Sequence, residues 1–336
     1  MQNFLIMELS YYIPSIENTW TGRVDDVNNR DAFRIHQTVS ILDLNDIRNI
    51  QLDLDKLNIC LIGFKSDTGV KRNLGRAGAE LGPAYIRKEL ANLPVNFDET
   101  TQIFDAGDIY CWNGNLEEAQ EQLRKAIKII LDKKLFPIVI GGGHALSLGH
   151  YLGISDYLDN KQNIGIVNFD AHWDLRPYKN EGSSGTMFSQ IADYCKSNQQ
   201  MFNYLCLGVQ ISGNTQNLFN RAEQLGAKHI LAKDFTTDNK DSNRLVIQNF
   251  VDSNDKIYLT LCSDVFSSAY APGVSAMQPF GMNPEIVLNY IKQIFKSNKV
   301  VGFDIAEVAP RFDHDNQTAK LAAIIIYAII NQLSEM

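Results

Sequence analysis

Short apolar runs recur along the chain, and most of them end at a turn or at polar residues. Several of the runs are continuously apolar rather than alternating, which is typical of strands covered on both faces. We predict eight such strands, at residues 59–63, 102–105, 137–140, 164–169, 204–209, 229–231, 257–261 and 300–304.

Helical patterns lie between the predicted strands. Residues 116–131 carry apolar side chains at i, i+3, i+4 and i+7 spacing, and 283–295 and 318–333 are similar. Alternation of strand and helix predicts a parallel sheet with helices on both faces. The first residues are less regular, so we predict an N-terminal extension, 1–56, packed on a main domain, 57–336.

Polar residues with metal-binding capacity follow four of the predicted strands. In an open α/β sheet, ligands bind outside the carboxyl ends of the strands, and parallel strands place those ends on one edge. The residues that follow the strands are His144, Asp170, His172, Asp174, Cys262, Asp264 and Glu307. We therefore expect these side chains to lie near one another.

The segment 168–174, Asn-Phe-Asp-Ala-His-Trp-Asp, is the strongest signal among them. In an extended segment alternate residues point the same way, so Asp170, His172 and Asp174 can meet at one point. Two carboxylates and an imidazole suit manganese better than structural zinc. The alternative is an exposed polar strand, but acids at the buried end of an apolar run need a cation or hydrogen bonds.

The other candidates are weaker when each is taken alone. His144 follows three glycines without a Walker or GxGxxG spacing, and could be incidental to a tight turn. Asp264 could be a helix N-cap, Asp304 a satisfied core acid and Glu307 a surface carboxylate. Their common position at strand ends favours a shared site.

Composition narrows the possible partners. The chain has 336 residues, 45% of them hydrophobic, and a formal net charge of -8. The sequence has no basic run, so it predicts no nucleic-acid partner. It has no apolar run long enough to span a bilayer, so it predicts no membrane partner. The cysteines form no CxxC pair and predict reduced thiols in a cytoplasmic protein. They are Cys60, Cys111, Cys195, Cys206 and Cys262.

A cluster of this kind implies hydrolytic chemistry. Two metal ions that share a carboxylate activate water at neutral pH and stabilise charge that develops on a planar carbon. This suits cleavage of carbon–nitrogen bonds in amidines or guanidines. No GxSxG elbow is present, so a serine nucleophile is not supported.

Several motifs resemble one family. Gly-Gly-Gly-His at 141–144, Asp-Ala-His-Trp-Asp at 170–174, Ala-Pro-Gly at 271–273 and Gly-Phe-Asp-Ile-Ala-Glu-Val at 302–308 resemble the ureohydrolases, which include arginase, agmatinase and formimidoylglutamase. The resemblance extends from about residue 59 to the C-terminus. It implies a three-layer α/β/α sandwich around an eight-stranded parallel sheet, and a homo-oligomer, either a trimer or a hexamer.

Within this family the chain is most similar to formimidoylglutamase. The similarity is carried by Asp-Leu-Arg-Pro at 174–177, Ser-Ser-Gly-Thr-Met-Phe at 183–188 and Pro-Gly-Val-Ser-Ala at 272–276. It implies hydrolysis of N-formimidoyl-L-glutamate to L-glutamate and formamide, a step of histidine degradation. The substrate would thus be a small acidic amidine.

The resemblance also implies roles for the candidate residues. Asp170 would bridge two divalent ions, manganese above all, and act with Glu307 in catalysis. Glu307 would orient the cationic amidine, and Arg176 would bind the amino-acid end, since a guanidinium can clamp a carboxylate. The metal ligands would be His144, Asp170, His172, Asp174 and Asp264.

One position departs from the family pattern. The motif Ser-x-Asp-x-Asp reads Thr-Leu-Cys-Ser-Asp at 260–264, so Cys262 stands where a bridging carboxylate is expected. A thiolate would favour zinc, iron or cobalt, whereas a neutral thiol would leave the second metal site weak or empty. Two alternatives therefore remain open: a binding protein with impaired catalysis, and a ureohydrolase for another substrate such as agmatine.

Overall fold

A single large sheet forms the centre of the molecule. The computed structural model describes residues 9–47, 50 and 52–336, and within them the sheet has ten strands. The strands are β1 Tyr12–Ile13, β2 Val39–Ile41, β3 Leu57–Lys65, β4 Thr101–Tyr110, β5 Phe136–Gly141, β6 Ile164–Phe169, β7 Asn203–Val209, β8 Lys228–Leu231, β9 Lys256–Cys262 and β10 Val300–Ala306.

All eight predicted strands are present, as β3 to β10. The sheet order is β1-β4-β3-β5-β10-β9-β6-β7-β8, and β2 pairs with β4. Along this order, all neighbouring strands are parallel from the pair β4 and β3 to the pair β7 and β8. Only β1 runs antiparallel to its neighbour, β4. The prediction of an eight-stranded parallel sheet is therefore confirmed, and two short strands extend it beside β4.

The helices cover both faces of the sheet. They are α1 Thr68–Arg72, α2 Gly82–Ala91, α3 Leu116–Asp132, α4 Leu146–Tyr157, α5 Met187–Ser197, α6 Gln216–Gln224, α7 Lys240–Asp252, α8 Pro284–Phe295 and α9 Gln317–Ser334. The three predicted helices correspond to α3, α8 and α9.

Two apolar cores lie on opposite faces of the sheet. Ile59 and Leu61 of β3 belong to one core, together with residues of α2, α7, α8 and α9. Cys60 and Ile62 of the same strand belong to the other, with residues of α3, α4, α5 and α6. This alternation follows from the period of two along a strand, and it confirms the three-layer α/β/α architecture.

The described part of the N-terminal fifty-six residues contacts the sheet at β4. Besides the pairing of β1 and β2, the Trp20 indole and the Ser15 hydroxyl donate hydrogen bonds to Asp105 Oδ2, over 2.7 and 2.9 Å. Arg87 forms ion pairs with Asp105 and Asp108 over 2.8 and 2.6 Å. The division into an extension, 1–56, and a main domain, 57–336, stays a prediction, and residues 1–8, 48–49 and 51 lie outside the described part.

A membrane-crossing helix is absent from the described residues, where none of the helices is both long enough and apolar enough to span a bilayer.

Candidate metal centre

Four adjacent strands bring the predicted site residues to one edge of the sheet. In the centre of the sheet, β10 lies between β5 and β9, and β9 is followed by β6. The register places Ala306 opposite Cys262, and Phe169 opposite Leu261. The residues that directly follow these strands therefore converge, because parallel strands end on the same side.

Asp170 lies at the middle of the cluster and is fully buried. Its Oδ2 lies 3.0 Å from His144 Nδ1, and its Oδ1 accepts a 2.7 Å hydrogen bond from the backbone N–H of His172. This bond forms because the segment turns immediately after β6. Both oxygens of the carboxylate are thus held in fixed directions.

Two groups of potential metal ligands share Asp170. One consists of His144, Asp170 and Cys262, and the other of Asp170, His172 and Asp264, with the ligand atoms of each group within 4.8 Å of one another. We call them the first triad and the second triad. A carboxylate common to both is the arrangement expected of a residue that bridges two ions.

Asp174 lies beside the first triad. Its Oδ2 is 3.2 Å from His144 Nδ1, and its backbone has the left-handed φ of 49°. Such a φ is uncommon outside glycine, although aspartate tolerates it better than most residues. Arg176 follows this turn by two residues.

The electrostatics of the cluster indicate a shortage of positive charge. Burial raises the pKa of Asp174 to about 6, with the nearby Asp170 adding to the effect, and burial likewise raises the pKa of Asp264. Burial also acts on Asp170, but hydrogen bonds from His144 and His172 outweigh it and hold its pKa below the usual range. Two imidazoles thus balance only part of the buried carboxylate charge.

The donor set of the two triads fits divalent cations. The triads contain two carboxylates, two imidazoles and a thiol, and Asp174 adds a third carboxylate beside the first triad. Asp264 Oδ1 is a buried oxygen without a hydrogen-bond partner among the described residues. Oxygen and imidazole ligands suit manganese, whereas sulfur suits softer ions such as zinc. The second triad therefore fits manganese well, and Cys262 makes the first triad the softer of the two.

The ring of His144 is oriented by a chain of buried hydrogen bonds. Its Nε2 lies 2.9 Å from Thr260 Oγ1, and Thr260 donates to Asp304 Oδ1 over 2.5 Å. Asp304 also contacts His150 Nδ1 over 2.6 Å, and accepts from Tyr258 over 2.5 Å. Asp304 is thus a core acid with several hydrogen bonds, and it supports the ligand ring through Thr260.

Glu307 enters the site at a fixed turn after β10. Its backbone N–H donates to Gly142 over 2.8 Å, its φ is 67°, and its Oε1 accepts a 2.8 Å hydrogen bond from the backbone N–H of His144. Burial raises the pKa of Glu307 to about 8, and the carboxylates of Asp264 and Asp174 add to the rise. Glu307 is therefore a buried acid rather than a surface carboxylate.

A cavity of about 310 Å³ opens onto the cluster. Arg176 lines it and is exposed, and its guanidinium has no hydrogen-bond or ion-pair partner within the described part of the chain. Sequence reasoning assigned a role to Arg176 but none to several other lining residues, although the motifs at 183–188 and 272–276 contain two of them. Those include Asn73, Arg76, Ser184, Asn214 and Ser275.

The predicted site residues are thus all found around one cavity. Five of the six predicted metal ligands form the two triads, and Asp174 lies within hydrogen-bond distance of His144. Glu307 and Arg176 line the same cavity. Their chemical roles stay predictions. Thr260, which contacts His144, is a further residue that sequence reasoning left without a role.

The chain is similar to several formimidoylglutamases. It is 49% identical to a formimidoylglutamase of Clostridium tetani over 97% of each chain, and 43% identical to one of Geobacillus thermodenitrificans over 93% of this chain and 94% of that one. The structure of the Bacillus subtilis formimidoylglutamase matches with a TM-score of 0.77 at 20% identity, covering 91% of this chain and 94% of that chain.

A second structural match is formiminoglutamase of Trypanosoma cruzi, solved with manganese, with a TM-score of 0.74 at 24% identity over 87% of this chain and 98% of that chain. Both structural matches establish the fold. The model of the arginase family matches residues 57–331. This match covers most of the sequence, and we conclude that the chain belongs to the arginase family.

Proposed function

We propose that this protein hydrolyses N-formimidoyl-L-glutamate to L-glutamate and formamide. The supporting observation is that the cavity that ends at the two triads also holds Arg176, whose guanidinium has no partner among the described residues. An amidine carbon can thus lie near the triads while a carboxylate lies near the guanidinium. Formimidoylglutamases at 40–49% identity over most of the chain support the same substrate.

The first triad, His144, Asp170 and Cys262, would hold one divalent ion. The second triad, Asp170, His172 and Asp264, would hold the other, and Asp174 lies beside the first triad. When bound, such ions lower the pKa of water and stabilise the charge that develops as water adds to the amidine carbon. Manganese is our first choice, and the manganese-bound structure of the T. cruzi relative supports it.

Glu307 would position the substrate. Its Oε1 is occupied by the backbone N–H of His144, which leaves Oε2 for the cationic amidine. The positive charge of the amidine would offset the burial that raises the pKa of Glu307, so the carboxylate would ionise as substrate binds. The ionised carboxylate can then accept the proton that the attacking water releases and hand it to the leaving nitrogen.

Arg176 would bind the glutamyl end. An exposed guanidinium at the mouth of a cavity offers two parallel N–H donors to a carboxylate. This favours an acidic amidine over agmatine, which carries no carboxylate.

Turnover tests the proposal. Purified protein loaded with manganese, zinc, iron, cobalt or nickel should release formamide from N-formimidoyl-L-glutamate, and agmatine should not react. Absence of formamide with every metal would refute this function.

Cys262 supports a second candidate, a binding protein with a degraded metal site. Metal analysis separates the two: fewer than one tightly bound ion per folded chain would favour the binding protein, whereas two ions would favour the hydrolase.

The family resemblance supports two further proposals about the whole protein. We expect a homo-oligomer, a trimer or a hexamer, located in the cytoplasm. Light scattering of the purified protein would measure the assembly, and a monomeric mass would contradict it.

A further inference from the structure

Asn73 is a polar residue of the cavity that has no part in the hydrolysis proposed above. It directly follows α1 and lines the cavity beside Arg176. A Cβ built on Gly185 would lie 2.7 Å from Asn73 Oδ1 and 3.0 Å from Arg176 Cδ. The amide of Asn73 and the stem of Arg176 thus pack against the same glycine, close enough to contact one ligand.

The side-chain amide of Asn73 is uncommitted. The backbone N–H of Asn73 donates to Gly69 over 3.0 Å, but its side chain makes no hydrogen bond within the described part of the chain. The side chain is half-buried. An amide offers two N–H donors, and a half-buried donor without a partner gains when a ligand oxygen accepts from it.

The surroundings fix the position of Asn73. The preceding residue, Arg72, forms an ion pair with Glu117 over 2.6 Å, and donates to the carbonyl of Gly182 over 3.1 Å. On the other side, the backbone N–H of Arg176 donates to Gly185 over 2.8 Å. Donors that are held in place before binding lose little conformational entropy when a ligand arrives.

Arg76, the other arginine at the cavity, is already engaged by the protein. Its Nε and Nη2 donate to the carbonyls of Ser275 and Val274 over 2.9 and 2.6 Å, and its guanidinium lies 4.1 Å from the ring centre of Phe312. Arg76 therefore ties two loops together. Beside Gly185, the side chains of Arg176 and Asn73 offer N–H donors that have no partner among the described residues.

We propose that Asn73 is a specificity-determining residue that donates a hydrogen bond from Nδ2 to a carboxylate of the glutamyl end, beside Arg176. The inference rests on the proposed function and deepens it. N-Formimidoyl-L-glutamate carries two carboxylates, and a single guanidinium clamps one of them in bidentate fashion. A neutral amide next to it adds a directed donor without a second positive charge, so the pair selects for substrates with an acidic end.

Steady-state kinetics with three substrates test this role: N-formimidoyl-L-glutamate, N-formimidoyl-L-glutamine, and N-formimidoyl-4-aminobutyrate, which lacks the α-carboxylate. Asn73→Ala should raise KM for the first substrate about tenfold with little change in kcat, because one hydrogen bond to a charged group is lost. Asn73→Asp should raise KM further, since it places a carboxylate against a carboxylate. For the analogue that lacks the contacted carboxylate, Asn73→Ala and wild type should have the same KM.

Binding of L-glutamate to the metal-loaded protein gives a second readout, because the product keeps both carboxylates. Calorimetry should show weaker binding for Asn73→Ala, by a factor similar to the rise in KM. Arg176→Ala should weaken binding at least as much. The control is Asn220→Ala, an exposed asparagine on α6, which should match wild type in all assays.

The outcomes separate this inference from the function on which it rests. If wild type does not cleave N-formimidoyl-L-glutamate, both are overturned. If wild type cleaves it and Asn73→Ala leaves KM and glutamate binding unchanged, only the role of Asn73 is overturned. An equal loss of kcat for all three substrates would indicate a structural role and would also overturn it.

Discussion

At the scale of single residues, Cys262 distinguishes this site from the family pattern. Burial raises the pKa of its thiol well above the ordinary value, and the carboxylates of Asp170 and Asp264 raise it further. Without a bound ion, the first triad therefore contains a neutral thiol. A metal ion that binds the first triad must either displace the thiol proton or be held by the neutral thiol, which is a weak ligand. Either requirement lowers the affinity of the first triad for the ion.

Cys262→Asp should therefore strengthen the first triad. Aspartate supplies a charged oxygen ligand, which suits manganese better than sulfur does. We expect manganese to bind the weaker of the two sites at least about tenfold more tightly, since even an outer-shell partner typically changes metal affinity 10–100-fold. Titration calorimetry and metal analysis measure this, with Cys60→Ser as a buried control remote from the triads. Unchanged affinity would show that the thiol already serves as an adapted ligand.

Thr260 connects the ligand ring of His144 to the buried Asp304. Sequence reasoning did not identify it, because a threonine within an apolar strand carries no metal-binding signal. Only its position in the strand suggests that Thr260 faces the metal-ligand cluster, since Thr260 and Cys262 are two residues apart along β9 and point the same way.

Thr260→Val should weaken metal binding about 10–100-fold, because the hydrogen bond that orients His144 is lost while the side-chain volume is kept. Asp304 retains His150 and Tyr258 as partners, so the fold should persist. Thr101→Val is a matched control, since Thr101 is a buried strand threonine whose hydroxyl has no partner among the described residues. Equal metal affinities of the two variants would contradict the role of Thr260.

At the scale of elements, the apolar runs predicted the strands well. Buried parallel strands are continuously apolar, and their signal is local. β1 and β2 were not predicted, because strands of two and three residues leave no pattern. Their positions depend on contacts with β4, which involve residues distant in sequence.

Helix α4 shows a second limit of pattern reasoning. Its sequence, Leu-Ser-Leu-Gly-His-Tyr-Leu-Gly-Ile-Ser-Asp-Tyr, has no distinct polar face, because the helix is buried on most sides. A Cβ on Gly149 or Gly153 would lie 2.5 or 2.6 Å from a backbone oxygen of α3. These glycines allow α3 and α4 to approach closely, and their spacing of four residues is the one sequence signal of that contact.

The convergence of the strand ends was predictable, whereas the side-chain network behind them was not. The rule for parallel sheets places the ends of β5, β6, β9 and β10 together. The hydrogen bond between His150 and Asp304 joins residues 154 positions apart. No pattern along the chain indicates such a pairing, and it requires the full three-dimensional structure.

The attachment of the N-terminal segment to β4 can be tested at Trp20. Trp20→Phe removes the indole donor to the buried Asp105, and should lower the free energy of unfolding by roughly 1.5–3 kcal/mol, as for hydrogen bonds to charged groups. Trp112→Phe is the control, because that ring is 44% exposed, and should change stability by less than about 0.5 kcal/mol. Denaturant unfolding measures the free energy of unfolding of both variants. Equal values would show that the hydrogen bond from Trp20 to Asp105 contributes little.

At the scale of the whole molecule, bound ions should contribute to stability. The triads gather buried carboxylates that lack a full counter-charge, and ions that bind only the folded state stabilise it by mass action. The native protein should thus be more stable with metal than without.

Removal of metal should lower the melting temperature and abolish turnover. Free metal at a hundred times Kd contributes about 2.7 kcal/mol, so a chelator should produce a clear shift, and added manganese should reverse it. Differential scanning calorimetry before and after chelation measures this. Magnesium in place of manganese serves as the control, and an unchanged melting temperature would indicate that the triads hold no ion in the folded protein.

The central position of β10 has a consequence for how the chain is made. β10 is the last strand in the sequence, yet it pairs with β5 on one side and β9 on the other. During synthesis the earlier strands can assemble as two separate parts of the sheet, one carrying His144 and the other carrying Asp170, His172 and Asp264. Only the emergence of residues 300–306 joins them. The second triad therefore lies within one part, whereas the first triad, which takes His144 from the other part, is completed only at the end of translation. An interrupted chain that ends before β10 should lack the complete first triad and Glu307.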